Sequence, residues 1–381
     1  MKAREFHCSA CGSVYPPDQL VWRCTCGGHL DVALSEGLSR EDIDLSEPSL
    51  WRYRAAFESS GSRPAIYFGE GLTPLAPASW AGLDVRFKLD YLFPSGSFKD
   101  RGTAVMMNRL LELDVQSVIE DSSGNGGASI AAYAAAGGIQ CDVYVPGHTS
   151  AGKVVQTRTY GSRVVMVEGT REQTATAAQD AAAASGKFYA SHNWHPLFIE
   201  GVKTVAYEIW EQLGYRAPDN VIAPAGFGSN VLGLYRGFSE LLARGQVDRI
   251  PRIFAAQAAN CPGIYSAWTG SGFVEPSPTV AEGIATARPV RLEEILRALR
   301  DSHGQAVAVT EEAIAAAVRE LGRDLGLYVE PTAAVSAAAL RQLAHDGEIS
   351  TGEVTVALLT GNGLKATDAI ARLNLDELGR A

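Results

Sequence analysis

From Arg86 onward the chain alternates short β-rich runs with longer, often Ala-rich stretches of helical period, and this alternation narrows the fold more than any other feature. Strands are expected at 85–89, 117–120, 142–145, 164–167, 220–224, 253–257 and 354–360. Helices are expected at 101–113, 129–136, 151–160, 170–184, 201–213, 232–242 and 311–325. A strand that must return parallel to its neighbour needs a helical crossover. The repetition therefore predicts an α/β protein with parallel sheets covered by helices on both faces. In such folds ligands bind in loops at the carboxyl ends of strands. No internal repeat is present.

At 381 residues the chain exceeds one compact domain, so two or three folding units are expected. The boundaries read as 1–35 for a small Cys/Gly unit, 36–89 with 196–381 for a large domain, and 90–195 for a small α/β domain. A polar, acidic linker runs from about 35 to 49. The formal net charge of −10 argues against nucleic acid and against an anionic membrane surface as partners. The N-terminus carries no apolar h-region, and the weakly charged run near 128–145 reads as a buried helix and strand rather than a span. A cytoplasmic location is the expectation.

Four of the six cysteines fall in the first 26 residues. Cys8-x-x-Cys11 and Cys24-x-Cys26 can each turn two thiolates toward one centre, with Gly12 and Gly27 allowing the tight turns. Four thiolates suit tetrahedral structural zinc and leave no open position for catalysis. The second pair is shorter than the usual Cys-x-x-Cys, and an empty, degenerate ribbon stands as the alternative.

The segment Lys88-Leu-Asp-Tyr-Leu-Phe-Pro-Ser-Gly-Ser-Phe-Lys99-Asp-Arg-Gly102 runs from an apolar strand through a Pro/Ser/Gly turn to a lysine at a helix start. Positive helix-dipole density there favours the neutral, nucleophilic amine that Schiff-base chemistry needs. Taken alone, the motif equally fits a surface lysine with charged neighbours. Ser-x-x-Lys also occurs in penicillin-binding serine enzymes, but their Ser-Asp-Asn and Lys-Thr-Gly partners are absent. No Gly-x-Gly-x-x-Gly opens a first βαβ unit, which argues against a dinucleotide-binding dehydrogenase.

Pro94-Ser-Gly-Ser-Phe-Lys-Asp-Arg-Gly102 resembles the cofactor-lysine motif of threonine synthases. Further matches follow in order: Trp51-Arg-Tyr-Arg54, Gly69-Glu-Gly-Leu-Thr-Pro-Leu75, Ser122-Ser-Gly-Asn-Gly-Gly-Ala-Ser129, Glu200-Gly-Val-Lys-Thr-Val-Ala-Tyr-Glu-Ile209, Glu330-Pro-Thr-Ala-Ala334 and Leu359-Thr-Gly-Asn-Gly-Leu-Lys365. Archaeal-type members of the family carry a similar cysteine knuckle. The resemblance implies a fold type II enzyme dependent on pyridoxal 5'-phosphate (PLP). That fold has two three-layer α/β domains with the cofactor in the cleft between them, here with a small zinc-ribbon-like knuckle at the N-terminus. It implies that Lys99 carries the cofactor and moves the substrate Cα proton, and that Asn125 hydrogen-bonds the ring 3′-oxygen. It assigns the phosphate to Gly226, Phe227, Gly228, Ser229 and Asn230, where backbone N–H groups and a helix N-terminus favour an anion. Thr360 would face the pyridine nitrogen, where a hydroxyl moderates the electron sink and suits elimination and replacement. A homodimer is expected by analogy alone.

The chain departs from the family where a second, substrate phosphate is held. A Thr-Ser pair after the loop asparagine is here Gly126-Gly127, and the phosphate-gripping arginine is Phe198. Phe cannot replace a bidentate, charge-assisted contact. Ser123, Gly126, Gly127, His192, Asn193 and His195 are the expected substrate-side residues, with Trp194 beside them. The two histidines suit acid–base work or carboxylate binding, or serve structure only. The substrate is expected to be a small-molecule amino acid. The reaction is Schiff-base formation, Cα-proton abstraction and elimination or replacement, either as a threonine synthase or as a β-eliminating or β-replacing relative with an altered pocket. Racemisation, and a non-catalytic zinc-ribbon binding protein, are the remaining readings.

Overall fold

The structure, a computed structural model, describes residues 4–33, 35–57, 64–147, 149 and 151–378. Side chains at 151, 153 and 374–378 lie outside that description. By packing, the chain forms two units, Met1–Ser35 with Glu41–Gly71 and Lys99–Val202, and Glu36–Arg40 with Leu72–Phe98 and Lys203–Ala381.

The first unit is built on a four-stranded, all-parallel sheet with spatial order Arg163–Val167, Gln140–Pro146, Ser117–Glu120, Phe188–Tyr189. Its central strands are nearly all buried, as crossover helices on both faces require. The helices Asn125–Ala136 and Arg171–Ser185 supply cover, and Lys99–Glu112 packs on the first of them. A small antiparallel sheet of Val14–Tyr15, Phe6–Cys8 and Leu30–Val32 holds the cysteines. Trp22 of this knuckle meets Tyr189 edge-on at 4.7 Å and Trp194 at 5.5 Å. Aromatic pairs of this kind add about 0.5–1.5 kcal/mol each beyond area burial.

The second unit holds a six-stranded sheet in the order Gln305–Val309, Arg252–Ala258, Asn220–Pro224, Thr355–Leu358, Leu83–Lys88, Leu75–Trp80. The last pair is antiparallel, and the others are parallel. The antiparallel edge corrects the all-parallel expectation. Leu75–Trp80 carries Pro77, which cannot donate to a ladder and is tolerated only at an edge, and this is where the strand lies. The helix Pro331–His345, lined with small residues, is buried on the apolar core of this sheet.

The expected domain boundaries shift. Residues 41–71 belong to the first unit, not the larger one. Asn108 exchanges two hydrogen bonds of 2.9 Å with the Ile66 backbone, and Phe68 meets Tyr133 edge-on at 5.0 Å. Residues 90–98 belong to the second unit, where Tyr91 N–H donates to Leu359 O and Ser97 bridges to Gly361. Residues 196–202 go with the first unit because Gly201 packs backbone to backbone on Arg101. A Cβ at Gly201 would lie 2.1 Å from the Arg101 carbonyl oxygen, so only glycine admits this approach.

Candidate active site

In the first unit, Lys99 opens the helix Lys99–Glu112. Asp100, fully buried in its first turn, accepts a 2.6 Å hydrogen bond from Ser129 of the helix Asn125–Ala136, and Ser129 Oγ also lies 2.8 Å from Thr103 Oγ1. This buried network fixes the lysine helix against the helix that Asn125 opens. Phe198, on the short helix Pro196–Val202, is fully buried and packs on Gly102, where a Cβ would sit 2.6 Å from its ring. The close approach of the two helices sets the Phe198 ring centre 5.9 Å from Lys99 Nζ. The position expected to carry a positive charge is thus an apolar wall beside the lysine.

His192 stands on the other side of that wall, with ring centroids 5.6 Å apart in an edge arrangement. Its Nδ1 lies 2.6 Å from Glu120 Oε1, and its backbone N–H donates to Glu120 Oε2 at 3.3 Å. Glu120 ends the strand Ser117–Glu120 and is fully buried. Burial, with Asp121 adding to it, pushes the Glu120 carboxyl well above the usual carboxylate range. Burial, with the positive Lys99 and Arg171 nearby, pulls the His192 imidazole well below its ordinary value. Arg171 is engaged by Asp121 at 2.7 Å. A Cβ at Gly126 would lie 2.7 Å from His192 Cε1, so the glycine makes room for the imidazole. Gly127 packs on the Ser122 carbonyl, and Ser123 sits half-exposed in the loop before Asn125.

Four expected substrate-side residues thus gather with Lys99 and Asn125: Ser123, Gly126, Gly127 and His192. Asn193 follows His192, and its buried Oδ1 lacks a hydrogen-bond partner. His195 is not brought to the lysine. It is buried edge-on against Phe6 and Phe188, with Nδ1 accepting from Leu197 N–H at 3.3 Å, and Trp194 packs on Trp22. These two residues anchor the segment. Glu120 was not expected, because an acidic residue at a strand end reads as solvated until the sheet buries it.

In the second unit, the loop after the strand Asn220–Pro224 enters the helix Ser229–Ala243 through Gly228 at φ +80°, with no side-chain cap on the helix. A Cβ at Gly226 would lie 2.9 Å from Ile284 Cα, and one at Gly228 2.2 Å from Ile295 Cδ1. At Gly226 the neighbour is backbone and leaves no room for a side chain, and at Gly228 the left-handed φ favours glycine. The neighbouring strand Thr355–Leu358 leads to Thr360 at the same end of the sheet. Thr360 Oγ1 and Asn230 Oδ1 are buried without hydrogen-bond partners, an arrangement that costs on the order of 1–3 kcal/mol per group unless a ligand satisfies it.

Residues 66–361 match the family described as "Pyridoxal-phosphate dependent enzyme". This chain belongs to that family. The relatives it resembles include the threonine synthase of Methanocaldococcus jannaschii, 34% identical over 381 residues, with 96% of this chain and 94% of that protein covered. The threonine synthase of Methanosarcina acetivorans is 34% identical over 372 residues, with 94% and 91% covered. Among solved structures, a fungal L-serine ammonia-lyase from Rhizomucor miehei superimposes with a TM-score of 0.70 at 21% identity, covering 80% of this chain and 97% of that one, a likeness of fold. The residues present fit PLP. An uncapped, glycine-entered helix N-terminus suits a phosphate, and the orphaned hydroxyl of Thr360 at the same sheet end suits a ring heteroatom.

The knuckle cysteines come together as expected. The four Sγ atoms lie within 4.8 Å of one another, with Cys8 to Cys26 at 3.5 Å and Cys11 to Cys24 at 3.6 Å. Zn–S bonds of about 2.3 Å in a tetrahedron place sulfurs about 3.8 Å apart, close to these separations. Tyr15 donates its hydroxyl hydrogen to Cys24 Sγ at 3.1 Å, the kind of outer contact that orients a metal thiolate. Among the described residues no helix is long and apolar enough to cross a membrane.

Proposed function

We propose that this chain is a PLP-dependent lyase whose amino-acid substrate carries no phosphate, with Lys99 bearing the cofactor. One observation carries the reading: the Phe198 ring lies 5.9 Å from Lys99 Nζ, where the threonine-synthase resemblance calls for a guanidinium. When bound, PLP supplies an electron sink that acidifies the Cα–H bond of the substrate. Lys99 Nζ takes and returns the Cα proton. Asn125 donates from its amide to the ring 3′-oxygen. Backbone N–H groups of Gly226, Phe227, Gly228, Ser229 and Asn230 would hold the cofactor phosphate, and Thr360 Oγ1 would serve the pyridine nitrogen. Ser123, Gly126, Gly127, His192 and Asn193 serve the substrate. Cys8, Cys11, Cys24 and Cys26 hold a structural zinc, and the cytoplasm suits both the thiolates and an enzyme of this class.

Threonine synthesis is the second reading, favoured by 34% identity over nearly the whole length of the two archaeal relatives. Titrating the holoenzyme with O-phospho-L-homoserine, L-serine and L-threonine separates the two. The visible spectrum should respond to the unphosphorylated amino acids, with no phosphate released from the phosphorylated one. Rapid phosphate release by the wild-type protein would establish threonine synthase and overturn the proposal. Phe198→Arg should gain affinity for the phosphorylated ligand by about a hundredfold, the worth of one charge-assisted bidentate contact.

A further inference from the structure

A second cleft lies in the first unit, apart from the residues read as serving cofactor and substrate. Its apolar floor is formed by Phe6 of the knuckle strand Phe6–Cys8, Trp51 of the 3-10 helix Leu50–Ala56, Phe57 just after it, Val105 of the lysine helix and Leu197 of the helix Pro196–Val202. All five side chains are buried. Trp51 is fixed there twice, by a 2.9 Å hydrogen bond from its Nε1 to Glu70 Oε1 and by an edge contact with the Phe57 ring at 5.6 Å. The empty volume, including the part open to solvent, is about 410 Å³. Small-molecule sites run from about 300 to 1,000 Å³. An apolar cavity is a poor host for water and a good one for apolar groups.

The charged groups of this cleft stand on the lysine helix. Val105, Arg109 and Glu112 follow one another at spacings of four and three residues, so one helix face carries both the apolar floor and a charged rim. Arg109 Nη1 lies 2.8 Å from Glu112 Oε2, with the two side chains 18% and 31% exposed. Arg109 Nη2 donates to the Pro17 carbonyl of the knuckle at 3.2 Å. The neighbouring Asn108 is committed to the backbone of Ile66 and Ala104. The rim therefore sets one cation and one anion side by side above an apolar floor. A partly exposed ion pair of this kind contributes little to stability, so opening it to a ligand costs little.

We propose that this cleft binds a free α-amino acid with an apolar side chain. The side chain packs against Trp51, Phe57 and Leu197, the α-carboxylate meets Arg109, and the α-ammonium meets Glu112. A guanidinium takes a carboxylate through two parallel N–H bonds. Each charge of the rim then exchanges one partner for another of the same sign, and the balance of charge is kept. An acid or an amine with the same apolar tail supplies only one of the two exchanges. An internal peptide segment carries neither charge, so the paired rim commits the cleft to the free amino acid. The site uses no residue of the cofactor chemistry, and the inference stands apart from the reading of Lys99.

The test uses the holoenzyme, treated with borohydride so that added amines cannot displace the lysine that carries the cofactor. A photoreactive diazirine analogue of L-leucine should label peptides that contain Trp51, Phe57 or Val105, and excess L-leucine or L-phenylalanine should prevent the labelling. In calorimetric titration, L-leucine should bind about tenfold more tightly than 4-methylpentanoate, which lacks the ammonium, and than 3-methylbutylamine, which lacks the carboxylate. Arg109→Gln and Glu112→Gln, both at the rim, should fold and should each weaken L-leucine by a similar factor. Arg109→Gln should no longer distinguish L-leucine from the amine, and Glu112→Gln should no longer distinguish it from the acid, a pattern that a merely structural ion pair would not produce. The proposal is overturned if the label falls elsewhere, if the acid or the amine binds the wild-type protein as tightly as L-leucine, or if both variants bind L-leucine as the wild type does. Labelling that is lost as the protein self-associates, followed by light scattering, would make a second copy of the chain the occupant and equally overturn the proposal.

Discussion

Phe198 and His192 set the character of the first unit's site, and each depends on a glycine beside it. Phe198 needs Gly102 beneath it, and His192 needs Gly126 in front of it. Replacing Gly126 by Ser should therefore displace the imidazole and destabilise the protein by about 1–3 kcal/mol, the usual cost of overpacking, read as a fall in Tm. Gly124→Ser is the matched control, because a Cβ there meets nothing within 4 Å. The loss of the arginine was legible in the sequence because a strong motif surrounds position 198. Glu120 was not, since its burial depends on the sheet that covers the strand end on which it sits. The sequence grouped His192 with His195. The structure separates them, because one helical turn onset carries His195 toward Phe6 and Phe188.

At the scale of elements, sequence periodicity located the strands Ser117–Glu120 and Asn220–Pro224 and the helix Glu311–Leu325 residue for residue. Short, wholly buried strands and long amphipathic helices carry clear periods. The edge strand Leu75–Trp80 and the helix Leu292–Asp301 went unread, the first because Pro77 breaks a strand signal, the second because its neighbours are irregular. Helix contacts also position the lysine helix. Gly201→Ala would drive a methyl group into the Arg101 carbonyl, and we expect a loss of about 3 kcal/mol or more together with weakened PLP retention, measured by melting and by the visible cofactor band. Retention of normal stability would mean that the lysine helix is not positioned by this contact. In the knuckle, chelation should release about one zinc per chain and lower Tm, with Cys24→Ser reproducing the effect. Trp22 of the knuckle packs edge-on against Tyr189 and Trp194, which precede and follow the segment holding His192 in the same unit.

Across the whole molecule, buried ion pairs tie stability to pH. In the second unit, Glu240 pairs with Lys203 at 3.0 Å and accepts a hydrogen bond from Tyr207, all three fully or almost fully buried. Burial alone would raise its carboxyl, but Lys203 and Arg236 outweigh it and hold the group down at about 2. A depressed carboxylate stabilises the fold fully above its unfolded value of about 4.3. That contribution fades as pH falls from there toward about 2. Glu240→Gln should flatten the acid limb of a Tm-against-pH curve over that window, and an unchanged limb would show that other groups control it. The division into two units was legible in outline from length and alternation. Its boundary at Phe98 and Lys99 was not, because tertiary packing alone sends residues 41–71 to one unit and 90–98 to the other.

The account stands on Lys99. Borohydride reduction of the holoenzyme followed by peptide mass mapping fixes the cofactor to whichever lysine carries it. The expected result is a single pyridoxyl label on Lys99, lost with the visible band in Lys99→Ala. A label on another lysine, or none in protein supplied with PLP, would contradict the account.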